Sequence, residues 1–331
     1  MPASRLRHRI LEGAVGEGTV VLHNRGSRSG ARVFDKLRKI APQLDGGDRI
    51  AWVPFAELKS VKAIPKRLIA VGGDGTVNYA ATWLRSLGAR SELAIVPAGT
   101  GNNLARGLGV PLNPEVAFRQ ALESTTTRPI DAVVVRAGDD PTEHLMLQSG
   151  ALGFPAQVAQ RYDSLRKNAL LRLLFIPAGP YIYRVLSALG LVGHAWRRRS
   201  SKTSGIDMTQ IHVDGERYAE PSFALFLGNE RSLGGNFIPC PRALLDDGLT
   251  DICIVRELPV SRYPSLFKRV ARGTHDALEK EVFYAQGKSI AIELPEASPL
   301  LLDGDLPVSA SRYQLRTLAG AVQLVAGATK P

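Results

Sequence analysis

The sequence predicts an N-terminal α/β domain with a doubly wound parallel sheet, followed by a mostly antiparallel β-sandwich domain with a helical insertion. Three observations predict it. Strand-like and helix-like stretches alternate along the first third of the chain, short apolar runs with strand character take over from about residue 130, and a basic, apolar stretch at about 156–200 interrupts them.

In the first third, "TVVLHN" (19–24) reads as a buried strand, "SGARVFDKLRKIAPQL" (29–44) as a helix, and "RIAWVPF" and "RLIAVG" as strands. "TVNYAATWLRSLG" reads as a helix closed by Gly88, "ELAIVPAG" as a strand and "NNLARGLGV" as a short helix. Strand–loop–helix units with short connections place ligands beyond the carboxyl ends of the strands.

The later runs are "DAVVVRAG", "EHLMLQSG", "IHVDGERY", "SFALFLGN", "LTDICIVREL", "SIAIEL", "PLLLDGDLPV" and "AVQLVAG". Gly, Pro, Asp and Asn separate them, as expected of antiparallel strands joined by turns. The boundary is expected near "TTTRPID" (125–131), giving a first domain over 1–129, rejoined by about 310–331, and a second over 130–309.

The net charge of +11 is concentrated. Residues 161–202 hold nine Lys or Arg against Asp163 alone, interleaved with Leu, Ile and Val. Arg172 and Arg184 leave too short an apolar interval for a bilayer span, which takes about 20 residues. Apolar helices edged by arginine fit the surface of an anionic membrane, and equally a core hairpin with solvated basic ends. Without stacking aromatics or a nucleic-acid motif, the basic surface gives no specific nucleic-acid partner. Cys240 and Cys253 form no CxxC pair, the six histidines show no metal-ligand spacing, and the apolar core of a signal peptide is missing after the basic start. A cytoplasmic, peripherally membrane-associated protein is the expectation, and a homodimer is left open.

Two successive strands end in comparable loops, "AVGGDGTVN" and "VPAGTGNNLAR". Each can turn backbone N–H groups and a helix N-terminus toward an anion, with Thr76 and Thr100 as hydroxyl donors. A dinucleotide fingerprint and a Walker A motif are both absent. Asp74 inside the first loop would repel a bare phosphate, whereas a divalent cation between carboxylate and triphosphate would reconcile them. Two Asp-Gly-acid patterns offer acceptors for a substrate proton, "VDGERY" and "LLDGDLP". The first looks like an exposed hairpin, whereas the second emerges from an unbroken apolar run.

"GGDGTVN", "PAGTGNNLARGLGVP", "PRALLDDGLTDICIV" and "LLDGD", in that order, resemble the diacylglycerol kinase catalytic fold of bacterial lipid kinases, shared with sphingosine kinases. The resemblance spans about residues 18–325. It implies an ATP-binding α/β domain, a β domain that takes the lipid and a cleft between them. It further implies Mg²⁺-dependent transfer of the γ-phosphate to a lipid hydroxyl, with diacylglycerol as the first guess. The implied nucleotide residues are Asn24, Ser27, Gly72, Gly73, Asp74, Gly75, Thr76, Asn78, Gly99, Thr100 and Asn102. Arg25 and Arg28 replace the family's proline and glycine in the first loop, and Pro54 and Phe55 stand where a threonine is expected after the second strand. "ALLDDGLTD" resembles the family's structural magnesium site, with the Asp247 carboxylate and the Leu244 and Leu249 carbonyls as ligands; otherwise it is an acidic turn. Asp305, in place of the family's Glu, is the expected base and Asp303 its partner in orientation or metal binding. A kinase of a soluble metabolite, similar to NAD kinases, and a nucleotide-binding pseudokinase are the rival readings.

Overall fold

A computed structural model describes residues 18–26, 28–62, 64–88, 90–99, 101–167, 185–193, 208–234 and 237–326. The chain divides into two compact units: residues 1–132, 245–247 and 318–331, and residues 133–244 and 248–317.

In the first unit, β1 (Thr19–His23) lies between β2 (Ile50–Pro54) and β3 (Arg67–Gly72), and β3 pairs with β4 (Glu92–Pro97), all in parallel. The end of β14 (Asp305–Val325) continues the parallel set through Gln323 and Leu324 beside Glu92 and Leu93. The order β2-β1-β3-β4-β14 reverses direction at β1/β3. Because strand–helix–strand crossovers are right-handed, α1 (Arg28–Ile40) and α2 (Asp74–Ser86) cover opposite faces of the sheet. The carboxyl ends of β1 and β3 therefore flank a switch point, where open sheets of this kind bind ligands. The strands form here because every residue of β3, and all but the first of β1 and β4, is buried; such sheets are apolar on both faces.

The opposite end of the sheet is tied by Arg67. Its guanidinium donates to Glu92 Oε2 at 2.6 Å, across the β3–β4 register, and to the carbonyls of Ala121, Leu122 and Ser124 at 2.7, 3.1 and 2.8 Å. It thereby closes the C-terminus of α4 (Pro114–Glu123), which Asn113 caps at its start through Glu115 N. α3 is the short helix Asn103–Gly107 that precedes it.

The second unit is antiparallel. β7 (Ser149–Gly153) sits between β10 (Ser222–Gly228) and β13 (Ser289–Leu302). β11 (Thr250–Arg256) and β12 (Val282–Gly287) extend the β10 side, while β8 (Thr209–Val213), β9 (Glu216–Glu220) and β14 extend the β13 side. β5 (Thr127–Ala137) pairs with β6 (His144–Met146) and β14.

Side-chain alternation, interrupted by an irregularity between Ser222 and Ala224 that turns Phe223 to the side of Phe226, sorts β10 and β11 into two cores. Leu225, Leu227, Ile252 and Ile254 face Val133, Met146, Ile290 and Ile292. Phe223, Phe226, Cys253 and Val255 face Tyr263, Leu266 and Val270 of α7 (Tyr263–Arg272). Both cysteines are free and buried.

Of the expected insertion, α5 (Phe154–Lys167) and the helix α6 over 185–193 are described; 168–184 and 194–207 lie outside the described residues. No helix of the described residues is long and apolar enough to cross a membrane.

Candidate functional site

The two glycine loops meet at the carboxyl ends of β3 and β4. A Cβ on Gly99 would lie 2.5 Å from Gly73 Cα, so the loops touch main chain to main chain with no room for a side chain at 99. Ala98 N donates to Gly72 O at 2.9 Å, which carries the β3–β4 ladder into the loops. Gly73 caps α2 without a side chain, and its carbonyl accepts Thr76 N and Val77 N at 2.9 and 3.2 Å.

Asp74 joins the loops. Its carboxylate accepts Asn103 N at 3.1 Å and Leu104 N at 3.0 Å, capping α3 from the neighbouring loop. Asn102 adopts a left-handed conformation (φ 50°), and its amide closes a ring with Gly99, accepting Gly99 N at 3.0 Å and donating to Gly99 O at 2.9 Å. Gly101 fits against this pair, since its Cβ would come within 3.4 Å of Asp74 Oδ2.

Thr76 is buried, and a Cβ on Gly72 would come 2.3 Å from its Oγ1. The hydroxyl thus packs close over Gly72, beside the first glycine loop. Gly75 is exposed at the first turn of α2, and Asn78, one turn further on, accepts Thr82 Oγ1 at 3.4 Å.

At the end of β1, Asn24 N donates to Val71 O at 3.3 Å and Asn24 Oδ1 accepts Gly26 N at 2.9 Å, an Asx turn. Arg25 pairs with Asp35 and stacks over Phe34. Ser29 Oγ donates to Ala98 O at 3.1 Å, tying α1 to the second glycine loop. Ser27 and Thr100 lie outside the described residues.

His23, which the sequence reading passed over among scattered histidines, is 7% exposed with its ring 4.1 Å from that of Phe34. Burial, then Arg25 and Arg38, push its pKa down to about 4. Its place as the last residue of an apolar strand was the available signal.

In the second unit, Asp303 and Gly304 form the turn between β13 and β14, both left-handed (φ 46° and 94°). The Asp303 carboxylate accepts three successive main-chain N–H groups, from Leu147 at 2.7 Å, Gln148 at 2.9 Å and Ser149 at 3.0 Å. Asp305 follows as the exposed first residue of β14. Asp303 is therefore the fixed member of the pair and Asp305 the accessible one. The turn at Asp214 and Gly215 is the exposed hairpin expected, joining β8 to β9.

Asp247 is exposed in a turn that continues into Gly248 (φ 75°), and Leu244 is 55% exposed. Asp131 N holds the neighbouring Leu245 O at 2.6 Å. One carboxylate with main-chain carbonyls is an oxygen donor set of the kind that suits Mg²⁺. No group of three or more His, Cys, Asp or Glu side chains capable of holding a metal occurs among the described residues.

Residues 20–135 match the model of the diacylglycerol kinase catalytic domain, and residues 203–326 that of the YegS C-terminal NAD kinase beta sandwich-like domain. A Chromohalobacter salexigens protein named "Probable lipid kinase YegS-like" is 35% identical over 286 residues, 85% of this chain and 81% of that one. A Stenotrophomonas maltophilia protein of the same name is 29% identical over 263 residues, 78% and 77% of the two chains. Among solved structures, one titled as a diacylglycerol kinase from Bacillus anthracis superposes with a TM-score of 0.60 at 18% identity, covering 94% of this chain and 97% of that one, a likeness of fold. With both domain models matched in order and a relative 35% identical across most of its length, the chain belongs to the YegS-like lipid kinase family, built on the diacylglycerol kinase catalytic domain.

Proposed function

We propose that the chain transfers the γ-phosphate of ATP to a hydroxyl of a lipid, diacylglycerol first among candidates, with Mg²⁺ and at the surface of an anionic membrane. The observation that carries this reading is the contact of Gly73 with Gly99, which lines one spot at the carboxyl ends of β3 and β4, beside the switch point, with the main chain of two loops. Gly72, Gly73, Asp74, Gly75, Thr76, Asn78, Gly99, Asn102 and Asn24 are the residues to hold the nucleotide. Bound Mg²⁺ between the Asp74 carboxylate and the triphosphate would neutralise phosphate charge, and a separate, structural Mg²⁺ would take Asp247 and the carbonyls of Leu244 and Leu249 as its ligands.

In the transfer, the lipid hydroxyl oxygen bonds to the γ-phosphorus, the bond to the β-phosphate oxygen breaks and ADP leaves. The hydroxyl proton passes to the Asp305 carboxylate, while Asp303 holds the turn. The aspartate is one methylene shorter than glutamate, so the hydroxyl must come closer or reach it through a water.

The membrane part of the reading rests on α6. Gly190 packs on Phe154 of α5, where a Cβ would lie 2.9 Å from the ring, and on other sides of the helix Val185, Leu189 and Val192 are 56%, 62% and 67% exposed. Positions i, i+4 and i+7 form one apolar stripe, carried by the most basic part of the chain.

The test is label transfer from γ-labelled ATP into diacylglycerol in anionic vesicles. We expect labelled lipid from the wild type, a loss of about 10²-fold or more in kcat for Asp305→Asn, and substantial activity for Asp305→Glu. Full activity of Asp305→Asn would remove the base from this position, and failure to label any lipid would remove the function. The NAD kinase-like description of the C-terminal domain favours a second reading, a soluble acceptor. NAD offered as acceptor in the same assay separates the two.

A further inference from the structure

The main-chain bridge between β6 and β7 is gripped from two sides. Its N–H groups at Leu147, Gln148 and Ser149 go to Asp303. Its carbonyls go to the loop that follows β10. Leu147 O accepts Asn229 Nδ2 at 2.8 Å, and Gln148 O accepts Asn229 N and Glu230 N at 2.9 and 2.8 Å. The Gln148 side chain, 3% exposed, closes the arrangement. Its Nε2 lies 3.2 Å from Glu230 Oε2, from Ser232 Oγ and from Ser232 O. Glu230 Oε2 also accepts Ser232 N at 3.0 Å and Ser232 Oγ at 2.7 Å.

A two-residue hairpin needs no such support. The Asp214–Gly215 turn provides the comparison. It has the same left-handed pair, and its carboxylate takes the N–H groups of Lys288 and Ser289. Among the described residues, Lys288 and Ser289 show no counterpart to the amide and carboxylate layer behind Leu147–Ser149. Burying an amide against a carboxylate costs desolvation that only a satisfied network offsets, and a satisfied network holds its members in a single arrangement.

We propose that Gln148, Glu230 and Ser232 are positioning residues. They form a latch that fixes the segment 147–149 and, through its three N–H groups, the Asp303 carboxylate and the turn leading to Asp305. This inference rests on the reading that the turn supplies the acid for phosphoryl transfer. A carboxylate acting on a bound hydroxyl must be placed to within a fraction of an ångström, and misplacement by 1 Å can cost about 10²-fold. The latch therefore acts on kcat and leaves nucleotide affinity alone.

The test measures kcat and the KM for ATP on full-length protein with diacylglycerol vesicles, for Glu230→Ala, Glu230→Gln, Gln148→Met and Ser232→Ala. Each variant is made in the wild-type and the Asp303→Asn backgrounds, with thermal unfolding in parallel. We expect Glu230→Ala and Gln148→Met to lower kcat about 10-fold or more while the KM for ATP stays within about twofold. Glu230→Gln, which keeps an acceptor for Gln148 and Ser232, should recover most of the rate. In the Asp303→Asn background, Glu230→Ala should cost no more than about a further twofold, because the two changes act through one group. Gln148→Met, nearly isosteric, decides the matter if Glu230→Ala does not fold. Wild-type kcat in folded latch variants beside an impaired Asp303→Asn, or equal losses in both backgrounds, overturns the latch alone. Full activity of both Asp303→Asn and Asp305→Asn overturns the reading of the turn, and the latch with it.

Discussion

Gly73 and Gly99 press against each other through their main chains: a side chain at 99 would begin 2.5 Å from Gly73 Cα, whereas one at 73 would begin 3.3 Å from Gly99 Cα. The two loops belong to successive parallel strands whose register, Gly72 beside Pro97, brings them level. Their glycines therefore allow a contact between loops as much as an approach to phosphate. The inequality of the two distances makes the positions separable by experiment.

Gly99→Ala should be the more harmful change. It forces main chain apart and should cost about 1–3 kcal/mol of stability, with loss of nucleotide binding, because the clash falls on the surface proposed to take the phosphates. Gly73→Ala meets a contact a few tenths of an ångström too tight and should keep measurable affinity. Thermal unfolding with and without ATP checks both; equal nucleotide-induced stabilisation of wild type and Gly99→Ala would contradict the placement of the site.

Asp74 offers the second test. Its carboxylate takes the N–H groups of Asn103 and Leu104, so Asp74→Ala leaves two donors without their acceptor at the start of α3. We expect a loss of about 1–2 kcal/mol and a higher KM for ATP. Asp74→Asn, which keeps a single acceptor oxygen, should fall between. A KM that stays constant as stability drops would confine Asp74 to the fold.

The contrast between Asp74 and the strands around it shows what a sequence makes legible. β1, β3 and β4 could be read nearly residue by residue, because buried parallel strands are almost continuous apolar runs bounded by turn residues. The partners of Asp74 lie 29 and 30 positions away and are set by strand register, beyond the reach of a local motif. Similarly, "SIAIEL" and "PLLL" look like two strands divided by "PEAS", yet β13 runs through both. The pairing with β14 shifts between Glu293 and Ser298, and this irregularity accommodates Pro295, which has no N–H to give a ladder. α7 carried its own signals, Pro264 in its first turn, buried positions at 263, 266 and 270, and Gly273 left-handed at its end. Neighbouring strand-like runs obscured it. The latch around Gln148 joins residues about 80 and 155 positions apart, and no spacing rule reaches that far.

The stripe on α6 yields a prediction independent of catalysis. Replacing Leu189 and Val192 by serine removes apolar surface that is already in water, so folding should be unaffected. Binding to anionic vesicles should weaken about 10-fold or more, since each buried aliphatic side chain is worth roughly 1.5–3 kcal/mol. Co-sedimentation across a salt series checks this. The arginine-rich contribution should fade with salt in wild type and variant alike, and unchanged binding by the double variant would place the membrane contact elsewhere.

His23 links stability to pH in a direction that can be worked out. Its pKa is about 4 in the folded chain against 6.5 for the free side chain, because burial and the nearby Arg25 and Arg38 disfavour the imidazolium. Between these values the unfolded chain binds a proton that the folded chain refuses. The contribution of His23 to stability is therefore complete above about pH 6.5, shrinks as the pH falls and is gone by about pH 4. His23→Phe keeps a ring against Phe34 and removes the titration. The wild type should lose more stability than the variant between pH 6.5 and 4, by on the order of 2 kcal/mol, with the two curves parallel from pH 7 to 8. Chemical denaturation at a series of pH values makes the comparison. Parallel curves throughout would mean that His23 accepts its proton in the folded chain as readily as in water, and that the end of β1 is open to solvent.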